Sequence, residues 1–519
     1  MRFRTILLTV LVVLAGRPSR GQHAYFVASS PLGGGNGSPS HPWTVTQLLR
    51  VPLGPGDTVY FQGGDTLAGP LTLQDVSGTA AHPVVLAGRG PGRALLRGGD
   101  GLALKLVNCR HVQVINLSFL GSGRKTGNHS DGVRLENCRD MRLSRLDISG
   151  FQKAGLMIYN SQRLEIDSLF AHDNGAVGIL VEGDYQQRSS RDIHLRDCRA
   201  DNNPGDPTNL QNHSGNGILV GNCRHVLIEY CSATNNGWDM PRVGNGPVGI
   251  WAYEADSVTI QYCISFRNKT AAGAADGGGF DLDGGVTNSV IQYCLSYENQ
   301  GSGYGIFQYY SASPWYNNQV RYCISYNDGQ VTDQAAGMYI WNGWNGDSTF
   351  TDFYAYQNLF FNDRKYAFSF SPLSQHRRFY FYNNVFVAGD QSTLYFGVDS
   401  SHSDRFLGNL WLRKSGGFAQ DGFTDFAQWS RTTGYERVNG RLAGTTSPMG
   451  LFRLAGPPAI TDPHRLRADS WIHALCPNTL PACGLDRRAA GLPGTLRKDT
   501  DFFGRRLDAG HPVRPGICP

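Results

Sequence analysis

Charged residues are scarce in this chain: Asp, Glu, Lys and Arg make up only 17% of its 519 residues. The net charge of +5 is small for that length and is not gathered into a basic run, so nucleic acid is not an expected partner. No CxxC motif or His/Cys spacing indicates a metal site. Beyond the first 21 residues, no apolar run is long enough to cross a bilayer. These absences point away from nucleic-acid-binding, zinc-binding and membrane-spanning proteins.

The first 21 residues have the composition of a secretory signal peptide. Arg2 and Arg4 supply a basic start, residues 6–14 are apolar, and small residues precede the expected cleavage site. The alternative, a membrane anchor, would need a longer apolar run. We therefore predict cleavage before Gln22 and a protein that is secreted, periplasmic or held at the cell surface.

Glycine is abundant, with 65 residues, and in the middle of the chain it opens a recurring strand of alternating pattern. The strands begin about 23 to 39 residues apart and show no helical periodicity. They are Gly132–Glu136, Gly155–Tyr159, Gly178–Glu182, Gly217–Gly221, Gly249–Tyr253, Gly279–Asp283, Gly305–Tyr309 and Gly337–Trp341. A unit of this size cannot bury its apolar face alone, so the units are expected to stack as a β-solenoid.

A second strand follows in each unit, and the unit then closes on a polar pair. The pairs are Asp173-Asn174, Asn202-Asn203, Asn235-Asn236, Arg267-Asn268, Glu298-Asn299, Asn327-Asp328 and Asn362-Asp363. Stacked rungs lie about 4.8 Å apart, which places like residues above like. The closing residues are therefore expected to form a ladder of side-chain amides.

Eight of the eleven cysteines repeat at two positions of the unit. They are Cys198, Cys231, Cys263, Cys294 and Cys323 at one position, and Cys109, Cys138 and Cys223 at the other. An exported protein suggests disulfides, but positions that repeat with the rung favour buried free thiols. Cys476, Cys483 and Cys518 lie outside the repeat, and one pair among them is a candidate disulfide.

The repeat divides the chain after the signal peptide into three parts. Residues 22–100 are predicted to form an N-terminal cap and the first strands, with a short amphipathic helix at residues 43–50 over the open end. Residues 101–430 carry the solenoid, of roughly 11 to 12 rungs. Residues 431–519 are predicted to wrap the far end as a cap or tail.

Two segments resemble the pectin-lyase-like superfamily of right-handed parallel β-helix proteins. The opening segment from Tyr25 to Asp65 is similar to the start of many exported members, and the Gly/Asp-rich block from Asp276 to Ser289 is similar to a motif of bacterial members. The resemblance covers about residues 24–430 and implies an all-β fold, a right-handed parallel β-helix. Because the superfamily includes polysaccharide lyases, glycoside hydrolases, epimerases and non-enzymatic adhesins, the fold alone does not decide the reaction.

Alternate residues of each first strand point out of the solenoid and form one face. Aromatic residues occupy much of this face: Trp251, Tyr253, Phe307, Tyr309, Tyr339 and Trp341. Their rings offer apolar surface to sugars, and so long an exposed stripe is unusual without a ligand. The alternative is that a loop covers the face and the rings are plain packing. Insertions at residues 204–216, 237–248, 269–278 and 329–336 are expected to edge the same face, and they carry His213 and Asp276.

Asp281 and Asp283 are the sharpest candidates for catalysis. Residues i and i+2 of a strand share a face about 6.6 to 6.8 Å apart, which overlaps the carboxyl separation of inverting glycosidases, about 6.5 to 9.5 Å. Proximity of like charge raises one pKa and yields an acid and a base. Glu298 and Glu182 are candidates for a third carboxylate, and Glu182 is also a predicted substrate contact. The alternatives are that the block binds Ca²⁺, the one cofactor left open, or merely turns.

The sequence therefore predicts a secreted carbohydrate-active enzyme, with a glycoside hydrolase that uses the paired aspartates as the first choice. A polysaccharide lyase is the second choice: Lys153, Lys269 or His129 would remove a proton, and Arg134, Arg242 or Ca²⁺ would neutralise a uronate. His129, Arg134 and Arg242 are also predicted to contact substrate. A non-enzymatic glycan-binding adhesin is the third choice. The expected partner is a polysaccharide or oligosaccharide bound by a monomer.

Overall fold

The computed structural model describes residues 22–29, 34–331, 335–343, 346–371, 375–390, 395–396, 404–420, 422–448 and 456–475. Within them the chain winds through three long parallel sheets of 14, 13 and 12 strands, so the predicted all-β parallel β-helix is confirmed. The 12-stranded sheet agrees with the 11 to 12 predicted rungs, and the other two sheets have one or two strands more, because residues 22–100 already contribute to all three. The predicted signal peptide and the cysteines at 476, 483 and 518 lie outside the described residues.

The 12-stranded sheet carries the candidate site, and we call it the groove sheet. Its neighbouring strands are parallel and in register, so that Leu219 pairs with Trp251 and Trp251 pairs with Asp281. The strands are Leu71–Gln74, Leu104–Val107, Val133–Glu136, Ala154–Tyr159, Val177–Glu182, Asn216–Gly221, Val248–Tyr253, Gly278–Leu282, Tyr304–Gln308, Ala336–Asn342, Tyr366–Phe370 and Tyr395–Phe396.

The other two sheets complete each rung. The 14-stranded sheet contains Ala24–Val27, Thr58–Gln62, Val84–Arg89, Val112–Ile115, Arg139–Ser144, Gln162–Asp167, Ser190–Arg196, Cys223–Glu229, Asp256–Gln261, Val290–Gln292, Trp315–Arg321, Phe350–Tyr356, Arg377–Tyr382 and Arg405–Leu407. The 13-stranded sheet contains Thr66–Ala68, Ala94–Gly99, Leu117–Gly121, Asp147–Ser149, Phe170–His172, Arg199–Asp201, Ser232–Thr234, Ile264–Phe266, Leu295–Tyr297, Ile324–Tyr326, Leu359–Asn362, Val385–Ala388 and Leu410–Arg413.

The core is a set of side-chain columns inside the solenoid. In the groove sheet one column runs through Ile218, Ile250, Phe280, Tyr304 and Met338, all fully buried. Because the side chains of a strand alternate between its two faces, the residues between these positions point outward. The alternating sequence pattern thus fixes which face of each strand is buried.

The polar pairs form the predicted amide ladder. Asn174, Asn203, Asn236, Asn268 and Asn299 each donate from Nδ2 to the Oδ1 of the next rung's residue, at 2.8 to 3.2 Å, and the ladder ends at Asp328. The residue before each of them has a positive φ of 51° to 55°, the left-handed conformation that turns the chain. Each corner of the stack is therefore satisfied by its neighbours.

The eight cysteines of the repeat are buried and free, as predicted. Seven of their thiols, all but that of Cys223, lie against backbone carbonyls of the stack; the Sγ of Cys263, for example, lies 3.7 Å from a carbonyl of the preceding rung. Beyond Cys323 the same column continues as Asn358, Asn384 and Asn409, whose amides bond along the stack. One column thus changes from thiols to amides along the solenoid.

Both ends of the stack are covered. At the start, the helix Val45–Leu48 is capped by Thr44 and confirms the predicted short helix. At the far end, the helix Phe426–Thr433 places Trp429 against Trp411, with ring centroids 5.2 Å apart. Such covers are needed because an open rung would expose unpaired backbone and core.

The remaining elements lie outside the sheets. They are the 3₁₀ helices Asp347–Thr349 and Pro463–Arg465, the helix Ser470–Ala474 and a hairpin of Arg437–Val438 with Arg441–Leu442. Residues 456–475 pack onto aromatic side chains on the outside of the solenoid. None of the helices within the described part of the chain is long and apolar enough to span a membrane.

Candidate active site

A groove runs along the outer face of the groove sheet. It encloses about 1120 Å³ and is lined from six consecutive strands, Val177–Glu182 through Ala336–Asn342. Because neighbouring strands are about 4.8 Å apart, six rungs extend the groove over about 24 Å. A cleft of this volume and length suits an elongated ligand of several units better than one small molecule.

Insertions before the strands form one wall of the groove, as predicted. The lining residues that they supply are Asn212, His213, Asn245, Gly246, Ala275, Asp276 and Ala335. At the opposite ends of the strands, the loop of residues 183–189 brings Tyr185 to the groove. This loop is anchored across several rungs, because Nη2 of Arg188 donates to the carbonyl of Gly285 at 2.8 Å.

Asp281 lies at the floor of the groove. Its neighbours Phe280 and Leu282 are fully buried inside the solenoid, which turns Asp281 outward as predicted. The prediction that it is exposed is wrong: only 2% of the residue is accessible. Beside it stands Gly305, where a Cβ would come within 2.8 Å of the Phe307 ring and 3.1 Å of the Asp281 carboxyl carbon. The glycine therefore allows the aromatic ring to close in on the carboxyl group.

Asp283 follows directly after the strand and is half-buried. Its Oδ1 accepts the backbone N–H of Gly284 at 2.7 Å. Asp281 differs, because its Oδ1 has no hydrogen-bond partner among the described residues. The two carboxyl groups therefore stand in different environments, which is the condition for dividing acid and base roles between them.

Burial raises the pKa of every carboxyl group at the centre of the groove. For Asp281, burial together with the nearby Asp283 and Asp276 raises the pKa well above its usual range. Burial raises the pKa of Asp283 to about 7 and that of Asp276 to about 6, although each accepts a backbone N–H. At neutral pH the site therefore holds both protonated and ionised carboxyl groups.

The register corrects the predicted phase of one rung. Asp281 pairs with Gly305, and Gly305 with Tyr339. Phe307 therefore stands in the column of Asp283 rather than beside Asp281, and Tyr309 lies beyond the end of the strand. The reason is that Tyr304, an aromatic residue, takes the inward position, so the rung begins at the glycine before it.

Trp251 is also less exposed than predicted, at 4%. It borders the groove and stands next to Asp281 in the same column. Its Nε1–H donates to Oδ1 of Asn216 at 3.0 Å, and His213 meets its ring edge-on with centroids 5.1 Å apart. The insertion that carries His213 thus covers much of the indole, which the strand pattern alone does not reveal.

Two tyrosines of the groove are held by the carboxyl groups of glutamates, one half-buried and one buried. The hydroxyl of Tyr253 donates to Glu182 at 2.6 Å, and burial raises the pKa of Glu182. The hydroxyl of Tyr309 donates at 3.1 Å to Glu254, which is fully buried. Glu182 was predicted as a site residue, whereas Glu254 was missed because it follows its strand without any distinguishing pattern.

Six predicted site residues do not line the groove: Lys153, Lys269, Glu298, His129, Arg134 and Arg242. Nζ of Lys153 lies 2.5 Å from the buried carboxylate of Asp206, and Glu298 pairs with Arg267 at 3.0 Å next to the 13-stranded sheet. Lys269 opens the third insertion without reaching the lining. Their proximity to the site in sequence therefore does not bring their side chains into it.

The predicted cations lie earlier on the stack or at the rim. Arg134 is two rungs before the groove, where it pairs with Asp131 at 2.7 Å and Glu136 at 2.5 Å. His129 is exposed in the turn before that rung. Nη1 of Arg242 donates to the carbonyl of Asn245 at 2.9 Å. Among the described residues that line the groove there is accordingly neither Lys nor Arg.

The structure adds Asp276, His213 and Asn216 to the site. The sequence places the first two at the edge of the face but assigns them no role, and Asn216 carries no signal beyond its place before a strand. Within the described ranges, no three His, Cys, Asp or Glu side chains are grouped as metal ligands would be. The site is thus a carboxyl-rich, aromatic groove.

The family model described as Pel9A-like, right handed beta helix region, matches residues 25–333. The fold is similar to that of GH136 lacto-N-biosidase from Eubacterium ramulus, with a TM-score of 0.50 and 15% identity over 74% of this chain and 67% of that chain. It is also similar to pectate lyase Pel9A, with a TM-score of 0.41 and 14% identity over 60% of this chain and 78% of that chain. No curated protein sequence matches the chain. Since the family model matches more than half of the residues, the chain belongs to the Pel9A-like family of right-handed β-helices, and the predicted handedness is confirmed.

Proposed function

We propose that this protein is a glycoside hydrolase whose paired carboxyl groups belong to Asp281 and Asp283. The proposal depends on one observation: both groups stand in the middle of a long groove with no Lys or Arg among its described lining residues. Glycoside hydrolysis needs one carboxyl group that donates a proton and a second that is ionised. Two neighbouring carboxyls in unlike environments meet this need.

Asp281 is the proposed general acid. Because burial raises its pKa well above the usual range, it keeps its proton at neutral pH and passes it to the glycosidic oxygen as the bond breaks. Asp283 is the proposed base or nucleophile, since the backbone N–H of Gly284 stabilises its ionised form. It either activates a water molecule or attacks the anomeric carbon directly.

Aromatic residues on both sides of the carboxyl pair position the substrate. Trp251 pairs with Asp281 from the preceding strand, and Tyr339 lies two strands beyond it. Sugar rings that pack on these side chains would place the bond between them over the carboxyl groups. Such positioning contributes to catalysis because the substrate is already held in the reactive geometry, which lowers the entropic cost of reaching the transition state.

The alternative reaction, β-elimination from a uronate, has less support. It needs a cation that neutralises the substrate carboxylate and a base that removes a proton. The groove presents Glu182, Asp276, Asp281 and Asp283, whereas the predicted cations lie outside it. A polyanion would therefore find no Lys or Arg among the described lining residues and would meet the ionised Asp283, so a neutral glycan is the better substrate.

A panel of neutral polysaccharides and polyuronates, followed by product analysis, tests the proposal. New reducing ends without ultraviolet absorbance are expected for hydrolysis. A conjugated, absorbing product would establish elimination, and retention without turnover would leave only glycan binding. Asp281→Asn should lower the activity by about 10² to 10⁴-fold, whereas Asp167→Asn on the 14-stranded sheet is the matched control that should leave it unchanged.

A further inference from the structure

The groove has two halves of different chemistry, one on each side of Asp281. Toward the later rungs the lining is aromatic, with Phe307, Tyr309, Tyr339 and Trp341. Toward the earlier rungs, in what we call the aliphatic half, the side chains of Val177, Leu180, Leu219 and Val248 line it together with those of Glu182, Tyr185 and Tyr253. Trp251 stands between these aliphatic side chains and the carboxyl pair, so a sugar bound there meets apolar surface as well as Glu182.

The apolar side chains of the aliphatic half belong to a small hydrophobic cluster on the outside of the solenoid. Val177, Leu219, Val248 and Trp251 belong to it and are separate from the main core. Each of the four is at most 5% exposed. A carboxylate placed over this cluster would lose part of its water and would find no Lys or Arg among the described residues that line the groove, which is unfavourable.

Asn216 fixes the orientation of the polar groups above this surface. Its Oδ1 accepts two N–H groups, from the backbone of Val248 at 3.1 Å and from Nε1 of Trp251 at 3.0 Å. The amide oxygen of Asn216 therefore faces Val248 and Trp251, and its amide nitrogen faces away from them. Nδ2 lies 2.9 Å from Nδ1 of His213, and because an amide nitrogen only donates, Nδ1 accepts.

The hydrogen-bond network thus assigns the tautomer of His213. With Nδ1 as acceptor, the neutral ring carries its proton on Nε2. Burial, with a further contribution from Arg242, lowers the pKa of His213 to about 4, so the ring is uncharged at neutral pH. Within the described residues Nε2 has no hydrogen-bond partner, and it remains available to a molecule in the groove.

We propose that His213 determines specificity: its Nε2–H donates to an uncharged oxygen of the sugar that lies over Trp251 and its aliphatic neighbours, and this position rejects a uronate. The inference rests on the proposed function only in that the groove holds a glycan. A single neutral donor satisfies a hydroxyl or carbonyl oxygen. It does not compensate the charge of a carboxylate that is removed from water.

Matched ligands test this inference by binding rather than by turnover. Oligogalacturonides and alginate oligomers are used before and after chemical reduction of their carboxyl groups, which leaves the linkages unchanged. Calorimetry with the full chain is expected to detect binding of at least one reduced oligomer. The acid form of the same oligomer is expected to bind much more weakly. His213→Phe should weaken the affinity for the reduced oligomer by about 2- to 12-fold, which is the range for the loss of one hydrogen bond.

Three further variants sharpen the test. His213→Gln keeps a neutral donor and should recover part of the affinity, whereas His213→Arg should narrow or reverse the preference against the acid form. His225→Arg, on the 14-stranded sheet, is the matched control and should change neither. Melting temperatures check that each variant is folded, and ¹⁵N spectra of the histidines should show the Nε2–H tautomer.

Three outcomes would overturn the inference: equal affinity for the acid and reduced forms, no effect of His213→Phe in a folded protein, or no binding of any reduced oligomer. Failure of the proposed hydrolase gives a different result. If the reduced oligomers bind with the expected preference but no bond is cleaved, His213 still selects the ligand and the catalytic proposal alone falls.

Discussion

The two faces of the groove sheet are built from alternate residues of the same strands, yet they obey different rules. On the inner face Ile218, Ile250, Phe280 and Tyr304 stack as one fully buried column. On the outer face the neighbouring column reads Leu219, Trp251, Asp281 and Gly305, with a different chemistry on every rung. Stacking in the core restricts the residue types of the inner face, whereas the residue types of the outer face differ from rung to rung and can supply chemical groups.

The outer face also tolerates what the core does not. Asp281 is almost fully buried without a partner for Oδ1 among the described residues, an arrangement that is unfavourable for stability. Groups of this kind are found where a protein uses a shifted pKa. The contrast between the faces therefore separates residues that hold the fold from residues that are kept for chemistry.

Removal of the central carboxyl groups should have the largest effect. Asp281→Asn and Asp283→Asn each remove acid–base assistance, so kcat/KM on the glycan identified by the panel should fall by about 10² to 10⁴-fold. Unfolding in urea should show no loss of stability, because a buried group with a raised pKa is replaced by a neutral one. Near-normal turnover of both folded variants would remove the pair from the mechanism.

Substitution of adjacent residues on the two faces should affect stability and glycan binding to different extents. Ile250→Ala opens a cavity in the core and should lower the free energy of unfolding by about 2 to 5 kcal/mol, with glycan affinity unchanged in the folded protein. Trp251→Ala should lower it by about 0.5 to 3 kcal/mol and should also weaken glycan binding. Equilibrium unfolding and calorimetry measure the two quantities. Unchanged affinity of Trp251→Ala would return the outer face to simple packing.

Stability should depend on pH through the groove carboxyls. Burial raises the pKa of Asp283 from 3.8 to about 7, so the folded state binds this proton more tightly than the unfolded chain. Its effect is absent below about pH 4, where both states are protonated, and stability then falls as the pH rises to about 7. The stability of Asp283→Asn relative to the parent should therefore grow across this range. A constant difference in urea unfolding at pH 4 and pH 7 would contradict the assignment.

Much of the fold could be predicted because a solenoid repeats its own constraints. Asn236 and Cys263 stand in columns, and the recurrence of one residue type at one phase revealed both the turns and the buried thiols. The predicted start of one strand, at Gly305, was wrong. Glycines at both 303 and 305 fit the start of a strand, and the inward Tyr304 interrupts the aliphatic pattern that distinguishes them. The burial of Asp281 was also missed, because the Phe307 ring that closes in beside Gly305 comes from the next strand of the stack, and the pattern of Asp281's own strand does not reveal that contact.

The cysteine column should give the smallest effect, and it compares two chemistries at one position of the stack. The thiol of Cys263 makes weak contacts with the carbonyls of Gln261 at 3.2 Å and Ile228 at 3.7 Å, whereas the amide of Asn384 donates to the carbonyl of Ala355 at 2.9 Å and to Asn409 at 3.0 Å. Cys263→Ala should therefore lower the free energy of unfolding by about 1 kcal/mol. Asn384→Ala leaves buried polar groups unpaired and should lower it by about 1 to 3 kcal/mol.

Thiol reactivity provides an independent measure of the same column. Burial raises the pKa of Cys263 and Cys294 well above the usual value, so the reactive thiolate does not form in the folded protein. A thiol reagent should accordingly label the cysteines only when the stack unfolds. Asn384→Ala should increase the labelling rate of the cysteines more than Cys263→Ala does. Rapid labelling of the native protein at neutral pH would mean that the rungs open locally.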